Sequence, residues 1–289
     1  MLLSRELLQT VEQIAVLAGQ QILEVYHRPG VPEVSNKTDN SPLTEADLRA
    51  HQTIVEELVR ISPGLPILSE EDADISFEKR RQWSEYWLVD PLDGTKEFIS
   101  GNGEFTVNIA LIRNGQPVLG VVHVPVLACT YLGIIEGTLQ SAWYSTVGAE
   151  WRRLRVRGLP GPDQWHKHVL KVVASRRHGA GELEKLLARW RKKFAGMELL
   201  NMGSSLKICL IAEGRADIYP RFAPTSEWDT AAAHAVLKAA GGDIVDTSLV
   251  SLLYNQNKSL LNPPFFAITD PTGSMERLLH ESELAENQN

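Results

Sequence analysis

The sequence predicts a layered sandwich of mixed α+β and α/β character, with an N-terminal antiparallel meander sheet flanked by helices and a C-terminal α/β layer. Three observations carry this reading. Apolar residues recur every three or four positions from Met1 to Arg28 and from Thr44 to Ile61, the period of amphipathic helices. From Thr106 to Tyr144, apolar runs are broken by turn residues such as Asn114-Gly115, the mark of consecutive hairpins. Beyond Gly158-Leu159-Pro160-Gly161-Pro162, short apolar runs alternate with helical stretches, as in a sheet covered by helices. That composition shift divides the chain into 1–158 and 159–289.

In the first helix, Leu3, Leu7, Val11, Ile14, Ala18, Ile22 and Val25 form one face, and Arg5, Glu6, Glu12 and Glu24 exclude a secretory leader. Pro29-Gly30 and Pro32 end it; Val31 to Lys37 reads as extended and Thr38 to Pro42 as a loop. Thr44 and Asp47 then stand at capping-box spacing before a second helix, which Ser62-Pro63-Gly64 closes. Leu65 to Ser69 is a short buried strand ending in Glu70-Glu71-Asp72. Tyr86 to Val89 is another, stopped at Asp90-Pro91 because proline cannot continue the hydrogen-bond ladder. Strands follow at Thr106 to Arg113, Pro117 to Val126, Thr130 to Glu136 and Leu139 to Tyr144. The alternating segment Arg152 to Arg157 reads as an edge strand with one solvated face rather than a nucleic-acid arm. In the second half, strands are expected at Leu170 to Ala174, Ala216 to Tyr219, Asp243 to Val245 and Phe265 to Thr269. Helices are expected at Gly181 to Phe194, Ser204 to Glu213 and Glu227 to Ala240, with a frayed polar tail from Glu281 to Asn289.

With 43% hydrophobic and 22% charged residues, the 289-residue chain can bury a substantial core. It lacks any apolar run long enough to span a membrane. A formal net charge of −7 disfavours nucleic-acid polymers and requires that an anionic ligand be attracted locally. Cys129 and Cys209 match neither a disulfide framework nor a metal spacing, which points to the reducing cytoplasm. Oligomeric state is left open.

The chemistry concentrates in Asp90-Pro91-Leu92-Asp93-Gly94-Thr95. Taken alone this is a turn sequence. Beside Glu70, however, which ends another apolar strand, it would gather like-charged carboxylates that need a cation between them. An all-oxygen set selects Mg²⁺, and Mg²⁺ in such sites commonly holds phosphate. The plainer reading of Asp47 is a cap for the second helix, and that of Asp229, in Glu227-Trp228-Asp229-Thr230, is a cap for a later one.

Together, Glu70-Glu71, the Asp90 to Thr95 segment and Trp228-Asp229 resemble the inositol monophosphatase superfamily of Mg²⁺-dependent, lithium-sensitive phosphatases. Asp39 to Asp47, Gly203-Ser204-Ser205-Leu206-Lys207 and Tyr219-Pro220-Arg221-Phe222 resemble its 3'(2'),5'-bisphosphate nucleotidase branch, of the bacterial CysQ type. The resemblance implies an αβαβα sandwich and hydrolysis of adenosine 3',5'-bisphosphate to AMP and phosphate, with 3'-phosphoadenylyl sulfate as a second substrate, in sulfate assimilation. It also implies a cytoplasmic enzyme with peripheral association at the inner membrane. Alternatives within reach are inositol monophosphatase or fructose-1,6-bisphosphatase activity, or a noncatalytic nucleotide sensor.

Carried over position by position, the resemblance implies two or three Mg²⁺ ions held by Glu70, Asp90, Asp93, Asp229 and the Leu92 carbonyl. Glu70 and Thr95, with Asp47 behind Thr95, would activate water. Glu70, Leu92, Asp93 and Asp229 would also meet substrate through the metals, and the Gly94 and Thr95 amides would hold the scissile phosphate. Ser204, Lys207, Arg221 and His178 are the candidates for a second phosphate, with a surface charge as the plainer reading of Lys207 and His178.

Overall fold

The apolar stripes of the first two helices pack on the same side of one sheet. In a computed structural model, which describes residues 2–29, 34–36, 42–146, 149–174 and 181–284, α1 spans Arg5–Tyr26 and α2 spans Glu45–Ile61. Each has a side-chain cap: Ser4 Oγ accepts from the Leu7 amide, and Thr44 and Asp47 form the reciprocal box. Between them, β1 (Val34–Asn36) and β2 (Pro42–Thr44) pair antiparallel. Most of the expected loop from Thr38 lies outside the described residues, and Pro42 already belongs to β2.

A seven-stranded sheet contains β3 (Ile67–Ser69), β4 (Glu85–Asp93), β5 (Thr106–Arg113), β6 (Gln116–Val124), β7 (Cys129–Glu136), β8 (Leu139–Thr146) and β9 (Arg152–Leu154), neighbours in that order. Only the β3–β4 pair is parallel. Two short helices, α3 (Phe77–Arg80) and α4 (Thr95–Ile99), flank β4. The β5–β6 turn has Asn114 at φ 51° and Gly115 at φ 76°, the left-handed pair that matches the twist of a tight hairpin.

The second half supplies β10 (Val169–Ala174), α5 (Glu182–Arg191), β11 (Gly196–Asn201), α6 (Leu206–Ala212), β12 (Ile218–Arg221), α7 (Glu227–Ala239), β13 (Asp243–Asp246), β14 (Phe265–Ile268) and α8 (Ser274–Leu284). Its strands form a mixed sheet in the order β11-β10-β12-β14-β13. Alternate side chains of the two sheets then separate three buried clusters. Trp87, Val89, Ile109 and Leu111 pack with α1 and α2. Tyr86, Leu88, Ala110 and Ile112 meet α6, α7 and one face of the second sheet. Leu170, Val172 and Ile218 pack with α5 and α8 on the far side. The result is an α/β/α/β/α layering, as the resemblance implies.

Several elements differ from expectation. β4 does not stop at Asp90: it runs to Asp93 through a bulge, since Asp90 pairs with Asn108 and Asp93 with Thr106, three steps on one strand against two on the other. Pro91 is tolerated there because the bulge does not ask it for a ladder hydrogen bond. The expected polar tail is helical as far as Leu284; Glu281 is paired with Lys193 and Arg277, which fixes that turn, and residues 285–289 lie outside the described part. β11 is an addition, a partly exposed edge strand whose weak apolar pattern hid it. The edge strand expected at Arg152 to Arg157 is confined to Arg152–Leu154, because Arg157 turns in to a bidentate pair with the buried Asp217, at 2.5 and 2.6 Å. Among the described residues no helix is long and apolar enough to cross a membrane.

α7 is the middle layer, and its small residues let it lie directly on the sheet. Ala231, Ala232, Ala233 and Ala235 are buried, and glycines on β6 and β7 receive the helix backbone. A Cβ on Gly133 would sit 2.6 Å from Val236 Cα, and one on Gly120 would overlap the Ala232 carbonyl. Gly133→Ala is therefore expected to cost about 1–3 kcal/mol, the range of overpacked cores. Because the displaced helix carries Asp229, activity should fall with stability. Urea denaturation checks this, and an unchanged midpoint would contradict the close packing.

Candidate active site

The bulge in β4 decides where the acids point. In a regular strand, residues 90 and 93, an odd number of positions apart, would face opposite sides of the sheet; the extra residue brings both to one side. Asp229 arrives from the first turn of α7, and ligand oxygens of Asp90, Asp93 and Asp229 lie within 4.8 Å of one another. β3 lies parallel to β4 with Ser69 opposite Val89, and the Glu70 amide donates to the Val89 carbonyl at 3.1 Å. Glu70 thereby stands beside Asp90, close enough to hydrogen-bond its carboxyl. Burial, then the charges of Glu70, Asp93 and Asp229, raises the Asp90 carboxyl well above the usual carboxylate range. Asp229 is raised well above it too, by burial and then chiefly by Asp93.

Asp90, Asp229 and Asp47 are each held by the scaffold through one oxygen. Asp90 Oδ1 accepts the Leu92 amide at 3.1 Å, closing the bulge. Asp229 Oδ2 accepts the Ser226 amide at 2.9 Å as the third residue of a capping box. Asp47 Oδ2 accepts the Thr44 amide and hydroxyl at 2.8 and 2.6 Å, while its Oδ1 lies 3.3 Å from Thr95 Oγ1. Thr95 Oγ1 is also 3.4 Å from the Leu92 carbonyl. Gly94 precedes α4 with φ 93° and ψ 40°, a left-handed conformation that suits glycine, and a Cβ there would also press on the Glu104 carbonyl at 3.2 Å.

A cavity of about 250 Å³ opens beside these groups, and its wall includes Asp93, Gly94, Ser204, Lys207, Arg221 and Asp229. Lys207 is buried, so the surface-charge reading fails for it. Its Nζ donates to the Ser204 carbonyl at 2.9 Å and lies 5.7 Å from the Tyr219 ring centroid. Burial lowers the Lys207 ammonium below the usual lysine range, with Asp93 opposing and Arg221 reinforcing. Arg221 Nε and Nη2 donate to the carbonyls of Ala223 and Pro224, at 2.9 and 3.1 Å, which fixes the guanidinium plane. His178 lies outside the described residues.

Ser205, Asn108, Thr106 and Glu104 were absent from the expected site. Ser205 donates its amide to Asp93 Oδ2 at 2.6 Å, and Glu104 accepts the Gly203 amide at 2.7 Å. Ser205 lies within the Gly203 to Lys207 motif, whereas Thr106 and Asn108 are ordinary meander positions that pairing with β4 brings in, and Glu104 just precedes that strand. The buried Asn108 Oδ1 has no hydrogen-bond partner among the described residues. That orphan and three crowded carboxyls fit a hard divalent cation: oxygen-only donors, excess negative charge and little room for rearrangement.

The family model described as the inositol monophosphatase family matches residues 3–284. The chain is 46% identical over 259 residues to the 3'(2'),5'-bisphosphate nucleotidase CysQ of Salmonella typhimurium, covering 90% of this chain and 98% of that one, with the same figures for the protein of Escherichia coli strain K12. In structure it resembles CysQ from Bacteroides thetaiotaomicron, with a TM-score of 0.77, 41% identity, and 92% of this chain and 97% of that one covered. An inositol monophosphatase from Thermotoga maritima shares the fold, with a TM-score of 0.72 at 22% identity over 98% of this chain and 99% of that one.

The raised carboxyls fix the sign of a pH effect. They favour the metal-free fold below the unfolded aspartate pKa of about 4, and that contribution is lost as pH rises through their higher folded values. A cation stabilises the cluster only as those protons leave. The rise in melting temperature on adding Mg²⁺ should therefore grow as pH rises above the unfolded aspartate value of about 4. Calorimetry with and without Mg²⁺ checks this; a shift independent of pH would count against the buried acids as its site.

Proposed function

Because the chain belongs to the inositol monophosphatase family, we propose that it is a Mg²⁺-dependent 3'(2'),5'-bisphosphate nucleotidase. Its substrate in this reading is adenosine 3',5'-bisphosphate, released as AMP and phosphate, with 3'-phosphoadenylyl sulfate as a second substrate. One observation carries it: a single cavity has carboxylates Asp93 and Asp229 and cations Lys207 and Arg221 in its wall. A monophosphate needs only the acidic, metal-holding side, whereas a second phosphate calls for the basic one. The 46% identity to proteins named as this nucleotidase supports the same substrate class.

Glu70, Asp90, Asp93, Asp229 and the Leu92 carbonyl would hold the metals. Bound Mg²⁺ supplies a water of lowered pKa and neutralises charge on the leaving oxygen. Thr95 Oγ1 donates its proton in a hydrogen bond to Asp47 Oδ1 at 3.3 Å, which leaves a lone pair of Oγ1 to accept a hydrogen bond from the attacking water and aim it. Glu70, next to Asp90, would be the carboxylate that accepts the proton of that water as it attacks. The amides of Gly94 and Thr95 hold the scissile phosphate. Lys207 and Arg221 grip the other phosphate, which sets the nucleotide in line for displacement.

Purified protein should release phosphate from adenosine 3',5'-bisphosphate only with Mg²⁺ and be inhibited by Li⁺, and Asp93→Asn should abolish turnover with the melting temperature near wild type. In a panel with inositol 1-phosphate and fructose 1,6-bisphosphate, preference for either would move the protein to another branch, and tight nucleotide binding without release would make it a sensor. Lys207→Met and Arg221→Met should each lower kcat/KM for the bisphosphate by about 10- to 100-fold, the value of a charge-assisted hydrogen bond, and spare inositol 1-phosphate hydrolysis. Equal losses on both substrates would deny these cations the second phosphate.

A further inference from the structure

Asp93 is held unlike the other acids. Four groups reach the same oxygen, Oδ2: the Ser205 amide at 2.6 Å, the Ser205 hydroxyl at 2.8 Å, and Thr106 Oγ1 and Asn108 Nδ2, each at 3.5 Å. None of the hydrogen bonds found among the described residues lands on Oδ1. Ser205 Oγ also lies 2.5 Å from the Asp229 carbonyl oxygen and accepts from Asn108 Nδ2 at 2.9 Å. All three supporting residues are buried. A hydroxyl has one proton, so Ser205 Oγ gives it either to Asp93 or to Asp229; the amide covers Asp93 Oδ2 in both cases.

We infer that Ser205 is a positioning residue that makes Asp93 a one-oxygen ligand and so selects Mg²⁺ over Ca²⁺. An oxygen crowded by donors has its lone pairs committed and is a poor partner for a metal, whereas Oδ1 keeps its own. Mg²⁺ demands near-octahedral geometry at short distances, which a carboxylate satisfies through a single oxygen. Ca²⁺ takes six to eight ligands and readily accepts both oxygens of a carboxylate. With its amide on Asp93 Oδ2 and its hydroxyl on the Asp229 carbonyl, Ser205 ties the strand that carries Asp93 to the helix turn that carries Asp229, so the spacing of the two acids is fixed before a metal enters. A fixed, narrow cage favours the smaller ion.

This inference rests on the metal-site reading above, and the test separates the two. Metal-free wild-type protein is titrated with Mg²⁺ and with Ca²⁺ by isothermal calorimetry, without substrate. Ser205→Ala should raise the Mg²⁺ Kd about tenfold, as expected for a lost hydrogen bond to a charged group, while the Ca²⁺ Kd changes much less. Thr106→Val, which removes a longer contact with little change of shape, should move the same ratio in the same direction by a smaller factor. Melting temperatures of the metal-free variants show that each is folded. Equal weakening of both ions, no weakening, or a Mg²⁺-loaded structure with the ion on both Asp93 oxygens would overturn the role of Ser205. A wild-type protein that binds neither ion would instead overturn the metal site itself.

Discussion

The constraint on which the site depends is electrostatic: carboxyls of Asp90, Asp93 and Asp229 share a space in which their ligand oxygens stand within 4.8 Å, with Asp90 buried and the other two partly so. In water such groups would move apart. Here they cannot, because each belongs to backbone that packing has already fixed: a bulge inside a nine-residue strand, and the first turn of the helix in the middle layer. The repulsion is therefore stored by the fold and relieved by whatever positive charge enters, proton or cation. The raised acid pKa values and the proposed binding of a divalent ion are therefore two expressions of one arrangement.

What holds α7 in place consequently sets the chemistry. The helix touches β6 and β7 through glycines rather than through interlocking large side chains, and its own inward face is alanine. Close approach of this kind leaves little freedom to slide, since every shift brings backbone against backbone. At the helix start, Glu227 adds a second anchor: both its oxygens accept the Asn255 amide, at 3.0 and 2.8 Å, and Asn255 is in turn bonded to the buried Arg80. Burial raises the Glu227 carboxyl to about 7, with the Asn255 amide and Arg80 opposing. Asp229, two residues on, inherits that fixed position.

Much of this was legible in the chain. The period of apolar residues located α1, α2 and the meander because those elements each bury one face, and the acids that follow two apolar runs announced neighbouring strands, which the parallel β3–β4 pair provides although β4 runs on past Asp90. Local patterns failed where the deciding partner is far away. Pro91 read as a strand terminator, yet it lies within a bulge defined by pairing with β5. Arg157 read as a solvated edge residue, but Asp217, sixty positions later, draws it in. Ser205, Asn108 and Thr106 are unremarkable by type and become significant only because three separate stretches meet at Asp93.

The plain and the functional readings of the helix-start acids turn out to be compatible. Asp47 and Asp229 are both third residues of capping boxes, a role that would explain their presence without any chemistry. But a cap uses one carboxylate oxygen and, by using it, fixes the rotamer and aims the other. Asp47 caps through Oδ2 and faces Thr95 through Oδ1; Asp229 caps through Oδ2 and still contributes to the acidic cluster. Asp90 does the same within its bulge, and Asp93 through Ser205. A carboxylate free to rotate would lose side-chain entropy on binding a metal, whereas one already fixed by its other oxygen loses little. Structural duty thus makes these acids better ligands, and a cap motif beside other acids is a reason to suspect a site rather than to dismiss one.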